Sequence, residues 1–406
     1  MSAQGHEKGF IRSFGTIQNI LPGDAFDLDL FDIPVRVVID RISVNRLGTE
    51  TIRGHLDIFP SGSFTLSVSG NKSLGFIRIP EKNREYRVQY DKETHTLRIE
   101  KISPPEKDVL PKGAPLLPEK NEAPSFLMEE DAPAAERFPV QLYGNYEDDT
   151  EAVIAVMVIY TTAAKVWAEG KGGIENIIAQ AMEDTQLALD NSDTKTTIEL
   201  VHADEVDYDE SGSSSMDLRR FQGTDDGYMD EVHILRDRYG ADLVALLARV
   251  DDNGGISYQL EKASGDPEFA FSLTRVQQAA TTYTFAHEIG HNLGMGHHKE
   301  QLPESDADGG LFDYSAGWRW TGQDGNIYST IMTYPQKDYF EDGMESINLP
   351  HFSNPDIYYE GTPTGDFRDG DNARTLREVR HVVAGYREDA PEADGGGGCF
   401  INFLTP

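Results

Sequence analysis

The 406 residues contain a single cysteine, Cys399, so no internal disulfide framework can staple the chain and cysteine usage reports no redox compartment. Basic residues are scarce. Lysine and arginine number 36 against 70 aspartates and glutamates, a formal net charge of -34 at pH 7 that repels nucleic acid and anionic membranes and favours solubility. No apolar run approaches the roughly 18 residues of a membrane span. The opening MSAQGHEKGFIRSFG also lacks the apolar core of a secretory signal, which leaves another export route or a truncated start as the readings of that segment.

What is present divides the chain into four stretches. Residues 1–102 are expected to form a β-rich N-terminal domain. Pro34 to Val44, Phe64 to Ser69, Phe76 to Ile79, Tyr86 to Tyr90 and Thr96 to Glu100 are short, alternating or β-branched runs, and turn clusters such as Ser69-Gly70-Asn71 separate them. Residues 103–150 interleave prolines 104, 105, 111, 115, 118, 124, 133 and 139 with acidic residues, the composition of an extended linker and a natural place for proteolytic cutting. Residues 389–406 form a glycine-rich tail in which Gly395 to Gly398 precede Cys399.

Between linker and tail the pattern changes to alternating strands and helices. Ala152 to Tyr160 reads as a strand buried on both faces. Ile174, Ile177, Ile178, Ala181, Met182 and Ala188 carry helical periodicity, with Glu175, Gln180 and Glu183 expected to face outward. Thr197 to Val201 is a second strand, Met229 to Leu235 a helix stopped near Gly240, and Asp242 to Val250 a third strand. Such alternation predicts helices packed on a mostly parallel sheet. Leu376, Val379, Val382, Val383 and Tyr386 make a closing amphipathic helix, with Asp371 or Asn372 as its cap.

The chemistry concentrates between His287 and His297, which read HEIGHNLGMGH. His287 and His291 are four residues apart, so on a helix both imidazoles can point at one metal. Glu288 sits beside them, placed to reach a metal-bound water as a general base. Gly294 can end the helix in the left-handed conformation and let the chain turn back to deliver His297. Three protein ligands leave a fourth position for water, whose pKa a zinc ion lowers toward roughly 7. Phe285, Ile289 and Leu293 supply the buried face of the same helix, and threonines 281, 282 and 284 are candidate caps.

These residues resemble the metzincin zinc endopeptidases, whose pattern is HExxHxxGxxH followed by a methionine-containing turn. Met332, in Ser329-Thr330-Ile331-Met332-Thr333-Tyr334-Pro335, looks like the Met-turn residue that floors the metal, and Tyr334 is similar to a tyrosine that some members place near zinc as ligand or oxyanion stabiliser. Downstream, His351 to Asp356, Gly365 and Asp371 to Arg374 look like the bacterial reprolysin-like members, and the likeness covers residues 150 to 388. His298, after the third ligand, departs from the residues usual there and is expected in a supporting or exposed role rather than as a fourth ligand.

The resemblance implies a fold: an α/β metzincin-like catalytic domain over residues 151–388, with a twisted mostly parallel sheet, helices and a zinc cleft, preceded by a small all-β domain. It also implies a reaction. Zn2+ on His287, His291 and His297, with Glu288 as base and Tyr334 near the metal, would hydrolyse peptide bonds in proteins. An edge strand at residues 255 to 260 would align the substrate by main-chain hydrogen bonds. The partners implied are a protein or peptide substrate and the chain's own pro-domain as inhibitor, with no nucleic acid and no membrane span, in an extracellular or cell-envelope setting. Some relatives silence their zymogen with a pro-segment thiolate, but residues 1–150 contain no thiol. Asp24 is better read as a turn residue than as a metal-blocking carboxylate. Asp306, Asp308, Asp324 and Asn326 are read as solvated rather than calcium-binding, since they lack a recognised ligand spacing. The alternative from another class is a catalytically silent, protease-like peptide-binding or adhesion protein.

Overall fold

A computed structural model describes residues 8–10, 20–94, 96–102, 109–118, 150–301 and 309–388. The first part is a meander: β1 (Lys8–Phe10), β2 (Ala25–Leu30), β3 (Ile33–Val44), β4 (Glu50–Leu56), β5 (Phe59–Ser69), β6 (Lys72–Ile79), β7 (Arg84–Asp91) and β8 (Thr96–Ile102). They pair antiparallel in the order β1-β8-β7-β6-β5-β4-β3-β2, so from β2 to β8 every neighbour in the sheet is a neighbour in sequence and short turns suffice. Gly70, at φ +58°, makes the tight turn between β5 and β6. Three of these strands, β1, β2 and β4, escape the sequence patterns above. In β2, Asp27 and Asp29 occupy the solvent face while Leu28 and Leu30 are buried, and β4 likewise mixes Arg53 and His55 with buried Ile52 and Leu56. Charged residues within these strands hid the period of two. Asp24 lies in the turn before β2, where its carboxylate accepts the Leu21 N–H at 2.9 Å.

The second part is α/β. In chain order it comprises β9 (Ala152–Thr161), α1 (Thr162–Glu169), α2 (Ile174–Asn191), β10 (Thr196–Val206), α3 (Ser214–Gln222), α4 (Glu231–Tyr239), β11 (Leu243–Ala248), β12 (Gly255–Ser257), β13 (Phe271–Arg275), α5 (Val276–Ala279) and α6 (Thr284–Asn292). The five strands run β10-β9-β11-β13-β12 and are parallel except β12, which pairs antiparallel with β13 at the edge. All six residues of β11, Leu-Val-Ala-Leu-Leu-Ala, are buried, as expected of an interior parallel strand covered on both faces. Helix α4 ends at Gly240 with φ +62°. Helix α7 (Asn372–Val383) closes the fold, and Asp371 caps it by accepting the Arg374 N–H at 2.9 Å.

The two parts meet along α2, which corrects one expectation. Gln180 and Glu183 do not face outward: Gln180 is fully buried and Glu183 is 7% exposed. Gln180 accepts from Thr65 Oγ1 at 2.7 Å and donates to Ser67 Oγ at 2.8 Å, both on β5. Glu183 pairs with Arg53 of β4 at 3.2 Å. Leu74 and Phe76 of β6 enter the same apolar cluster as Ile177, Ile178 and Met182. Arg78, also on β6, reaches Asp184 at 2.6 Å, Glu85 at 3.0 Å and the carbonyl of Ala280 at 3.0 Å. Its guanidinium lies 5.4 Å from the ring of Tyr283, the residue just before α6. The antiparallel sheet therefore rests on α2 and, through Arg78, reaches the loop that leads into the histidine-bearing helix. The tail and Cys399 lie outside the described residues, and among those described no helix is long and apolar enough to cross a membrane.

Candidate metal centre

Helix α6 is buried along its whole length, which for a segment containing two histidines and a glutamate requires that each polar group have a purpose or a partner. Apolar Phe285, Ile289 and Leu293 anchor one side in the core. The N-cap position is Tyr283 and carries no side-chain cap; of the three threonines, Thr282 contributes by accepting the Thr284 N–H at 3.3 Å. Gly294 follows the helix at φ +84°, and Met295 N–H returns to the Gly290 carbonyl at 2.9 Å. That reversal carries His297 back over the helix.

The three imidazoles converge. His287 Nε2 stands 3.0 Å from His297 Nε2 and 3.2 Å from His291 Nε2, and all three side chains are buried. Their outer nitrogens explain the orientation. His287 Nδ1 lies 2.9 Å from the Ile331 carbonyl, and His291 Nδ1 lies 3.0 Å from the Met295 carbonyl and 2.9 Å from Gln259 Oε1. Carbonyl oxygens only accept, so in these contacts Nδ1 donates and Nε2 presents a lone pair. Burial pushes both rings far below the usual imidazole range, and neighbouring positive charge adds to it, so they stay neutral and ready to ligate. Bare lone pairs facing one another at this distance repel. A divalent cation among them removes the conflict, so the donor set fits a metal.

Glu288 points to the edge strand rather than into solvent. Ser257 Oγ donates to its Oε2 at 3.0 Å, while Oε1 is buried with no hydrogen-bond partner among the described residues. Burial raises the carboxyl above its usual range. A Cβ on Gly255 would come within 2.5 Å of Oε1, so the glycine admits the carboxylate. Gly255, Ser257 and Gln259 alternate along β12 and its continuation, placing all three on the face toward α6. That period of two was visible in the sequence; that it faces the histidines was not.

Met332 lies in the turn closed by Thr333 N–H to the Thr330 carbonyl at 3.0 Å, and it is fully buried. A Cβ on Gly290 would meet its sulfur at 2.6 Å, so the methionine is packed directly against the metal-facing helix. The Tyr334 ring sits 4.8 Å from that of His297 and 5.6 Å from that of His287. His298 is turned away from the cluster and, contrary to an exposed role, is 6% exposed, stacked 5.8 Å from Trp318. Burial and then Arg319 push it down to about 4, so it packs as a neutral ring. Asp306 and Asp308 lie outside the described residues, and Asp324 accepts from Asn326 Nδ2 and Tyr328 OH, each at 2.6 Å.

One residue at the centre has no sequence signal at all. Lys112, from the proline-rich stretch, brings its Nζ to 3.1 Å from His287 Nδ1, and its carbonyl accepts from Tyr334 OH at 3.3 Å.

Helix α6 and the reversal after it thus bring three imidazoles together as a set that could hold a metal, and known proteins resemble this part of the chain. Residues 176–298 match the family described as metallo-peptidase family M12B, reprolysin-like. A peptidyl-Asp metalloendopeptidase of Stenotrophomonas maltophilia is 32% identical over 238 residues, covering 59% of this chain and 54% of the relative. One from Xanthomonas campestris is 31% identical over 236 residues, covering 58% and 52%. The chain spans about half the length of these curated relatives. A solved structure, metalloproteinase-II from Bacteroides fragilis, is 13% identical with a TM-score of 0.44, covering 68% of this chain and 81% of that one, a likeness too slight to build on. Over residues 176–298 the chain is similar to the reprolysin-like metallopeptidases, and its curated relatives are metalloendopeptidases.

Proposed function

We propose that the chain is a zinc-dependent endopeptidase in which His287, His291 and His297 hold the metal and Glu288 is the general base. The observation that carries this is the convergence of three buried Nε2 atoms beside a buried carboxylate with one free oxygen. Nitrogens bound at 2.0–2.1 Å to one tetrahedral zinc stand about 3.3 Å apart, close to the spacing of the trio. Zinc there supplies a Lewis acid that acidifies water and polarises a carbonyl.

The chain's own groups do the rest. Glu288 Oε1 takes a proton from the attacking water and returns it to the departing amine, while Ser257 holds the other oxygen. Tyr334 OH, which reaches a main-chain carbonyl, stabilises negative charge developing on the substrate oxygen. The main-chain groups of β12 and its continuation align an extended peptide, and Met332 keeps the floor dry and rigid. Residues 1–102 act as a pro-domain, resident on α2 until the linker is cut, and the mature protein works outside the cytoplasm. The relatives named peptidyl-Asp metalloendopeptidases make peptide bonds next to aspartate the first to test.

The test combines metal analysis with casein cleavage after linker cutting, with and without chelator. Zinc at one ion per chain and chelator-sensitive cleavage are expected. Glu288→Gln should keep the zinc and lose about 10²–10⁴-fold in rate. A zinc-loaded, linker-cut protein that cuts nothing would favour the silent binding protein, against which the intact Glu288 argues.

A further inference from the structure

Where the two parts of the molecule meet they leave a cavity of about 190 Å³, none of whose walls belongs to the histidine trio. Leu74 and Phe76 of β6 wall it from the antiparallel sheet, and Trp167 of α1, Ile177 of α2 and Val276 of α5 from the α/β part. Gly172 lets these walls come close. At φ +109° it turns the chain between α1 and α2, and a Cβ there would lie 2.9 Å from the Ser73 carbonyl oxygen, so a larger residue would push the loop off β6. Asn176 fixes the same turn by donating to the Gly172 carbonyl at 2.8 Å.

The polar side chains on the walls are Arg87, Lys171, Gln277 and Thr281, and none is acidic. In a chain with 70 acidic and 36 basic residues, an apolar hollow with two cations and no carboxylate stands apart from the rest of the surface. Lys171 is exposed and Arg87 half-buried, which puts both charges toward the open side. Lys171 Nζ stands 5.9 Å from the centre of the Trp167 ring and has no ion-pair partner among the described residues. Arg87 meets Glu100 only at 3.7 Å, beyond hydrogen-bond length, so its guanidinium can turn to another anion. Such a lining fits an anion with an apolar tail. Volume sets the tail: a cavity of about 150 Å³ holds benzene, so this one takes a single ring or a chain of about six carbons.

We propose that this cavity binds a small apolar carboxylate, of the size of phenylacetate or hexanoate, with its tail between β6 and Trp167 and its carboxylate held by Lys171 and Arg87. Because the walls come from both parts of the molecule, the acid binds only while the antiparallel sheet is seated on α2. By linkage, the bound acid tightens that seating. The site stands apart from the reaction at the metal and holds whether or not the chain cuts peptides.

The experiment uses the full chain and three probes that share one ring: phenylacetate, its neutral amide and phenethylamine. Titration calorimetry should give one phenylacetate per chain with a dissociation constant below about 1 mM, weaker binding of the amide and none of the amine. Indole fluorescence should change as the acid binds, and the change should vanish in Trp167→Phe, which leaves Trp318 and Trp320 in place. Lys171→Met should weaken phenylacetate about tenfold and leave the amide unaffected, while Lys171→Arg keeps the affinity. The acid should also raise the midpoint of thermal unfolding. An amide or amine that binds as tightly as the acid, or phenylacetate affinity unchanged in Lys171→Met, would overturn the proposal by removing the role of charge. A fluorescence change that survives in Trp167→Phe would overturn it by placing the acid elsewhere. So would the absence of binding by phenylacetate and hexanoate alike at about 10 mM.

Discussion

Replacing Arg78 by Met tests whether the antiparallel sheet and α2 form one cooperative interface. The Arg78 side chain is 9% exposed, Asp184 2% and Glu85 9%, so the three charges share one largely dry pocket. Methionine fills much of the volume but removes the donors to Asp184, Glu85 and the Ala280 carbonyl. Breaking a buried pair from one side leaves an uncompensated charge and costs about 3–5 kcal/mol, several times an exposed ion pair. The assay is urea unfolding at pH 7.5. Adding Asp184→Leu removes the stranded carboxylate, so the double variant should recover at least half of the loss. The pH dependence has a definite sign. Burial lifts the Asp184 carboxyl from 3.8 to about 6 despite Arg78, so the folded state binds that proton more tightly than the unfolded state does. Its contribution to stability is therefore fullest below pH 4 and falls as pH rises through about 6. Without Arg78 the carboxyl rises further, so the gap between Arg78→Met and the parent should narrow between pH 7.5 and 5. A loss below about 1 kcal/mol, or a double variant no better than the single one, would refute the reasoning.

Two further substitutions probe the centre. Gly294→Ala puts a side chain at φ +84° and within 3.0 Å of Leu311 Cβ, so a destabilisation of about 1–3 kcal/mol is expected, together with weaker metal binding through displaced His297, measured by thermal unfolding with and without zinc. Gln259→Leu removes one of two acceptors for His291 Nδ1 and should weaken zinc binding about 10–100-fold while leaving the unfolding midpoint of the zinc-free chain nearly unchanged.

Local pattern made much of the molecule legible. HExxHxxGxxH needs only helical spacing and one reversal, both set by neighbouring residues, and the structure brings His287, His291 and His297 together as that spacing requires. The interior strand at Leu243–Ala248 was legible because a both-face-buried strand is apolar throughout. What the pattern could not report was the polar face of a helix. Gln180, Glu183 and Asp184 look like a solvated surface until β4, β5 and β6, more than 100 residues away in sequence, bring Arg53, Thr65, Ser67 and Arg78 against them.

The same division holds at the metal centre. Residue identities alone determined which atoms can ligate a metal and which carboxylate stands beside them, because covalent chain geometry sets those distances. Only the tertiary structure decided that Ser257 and Gln259 brace Glu288 and His291, and that Lys112 lies among them, because a polar group's burial and partners depend on whichever surface folds against it. That surface comes from distant sequence, and no local period encodes it.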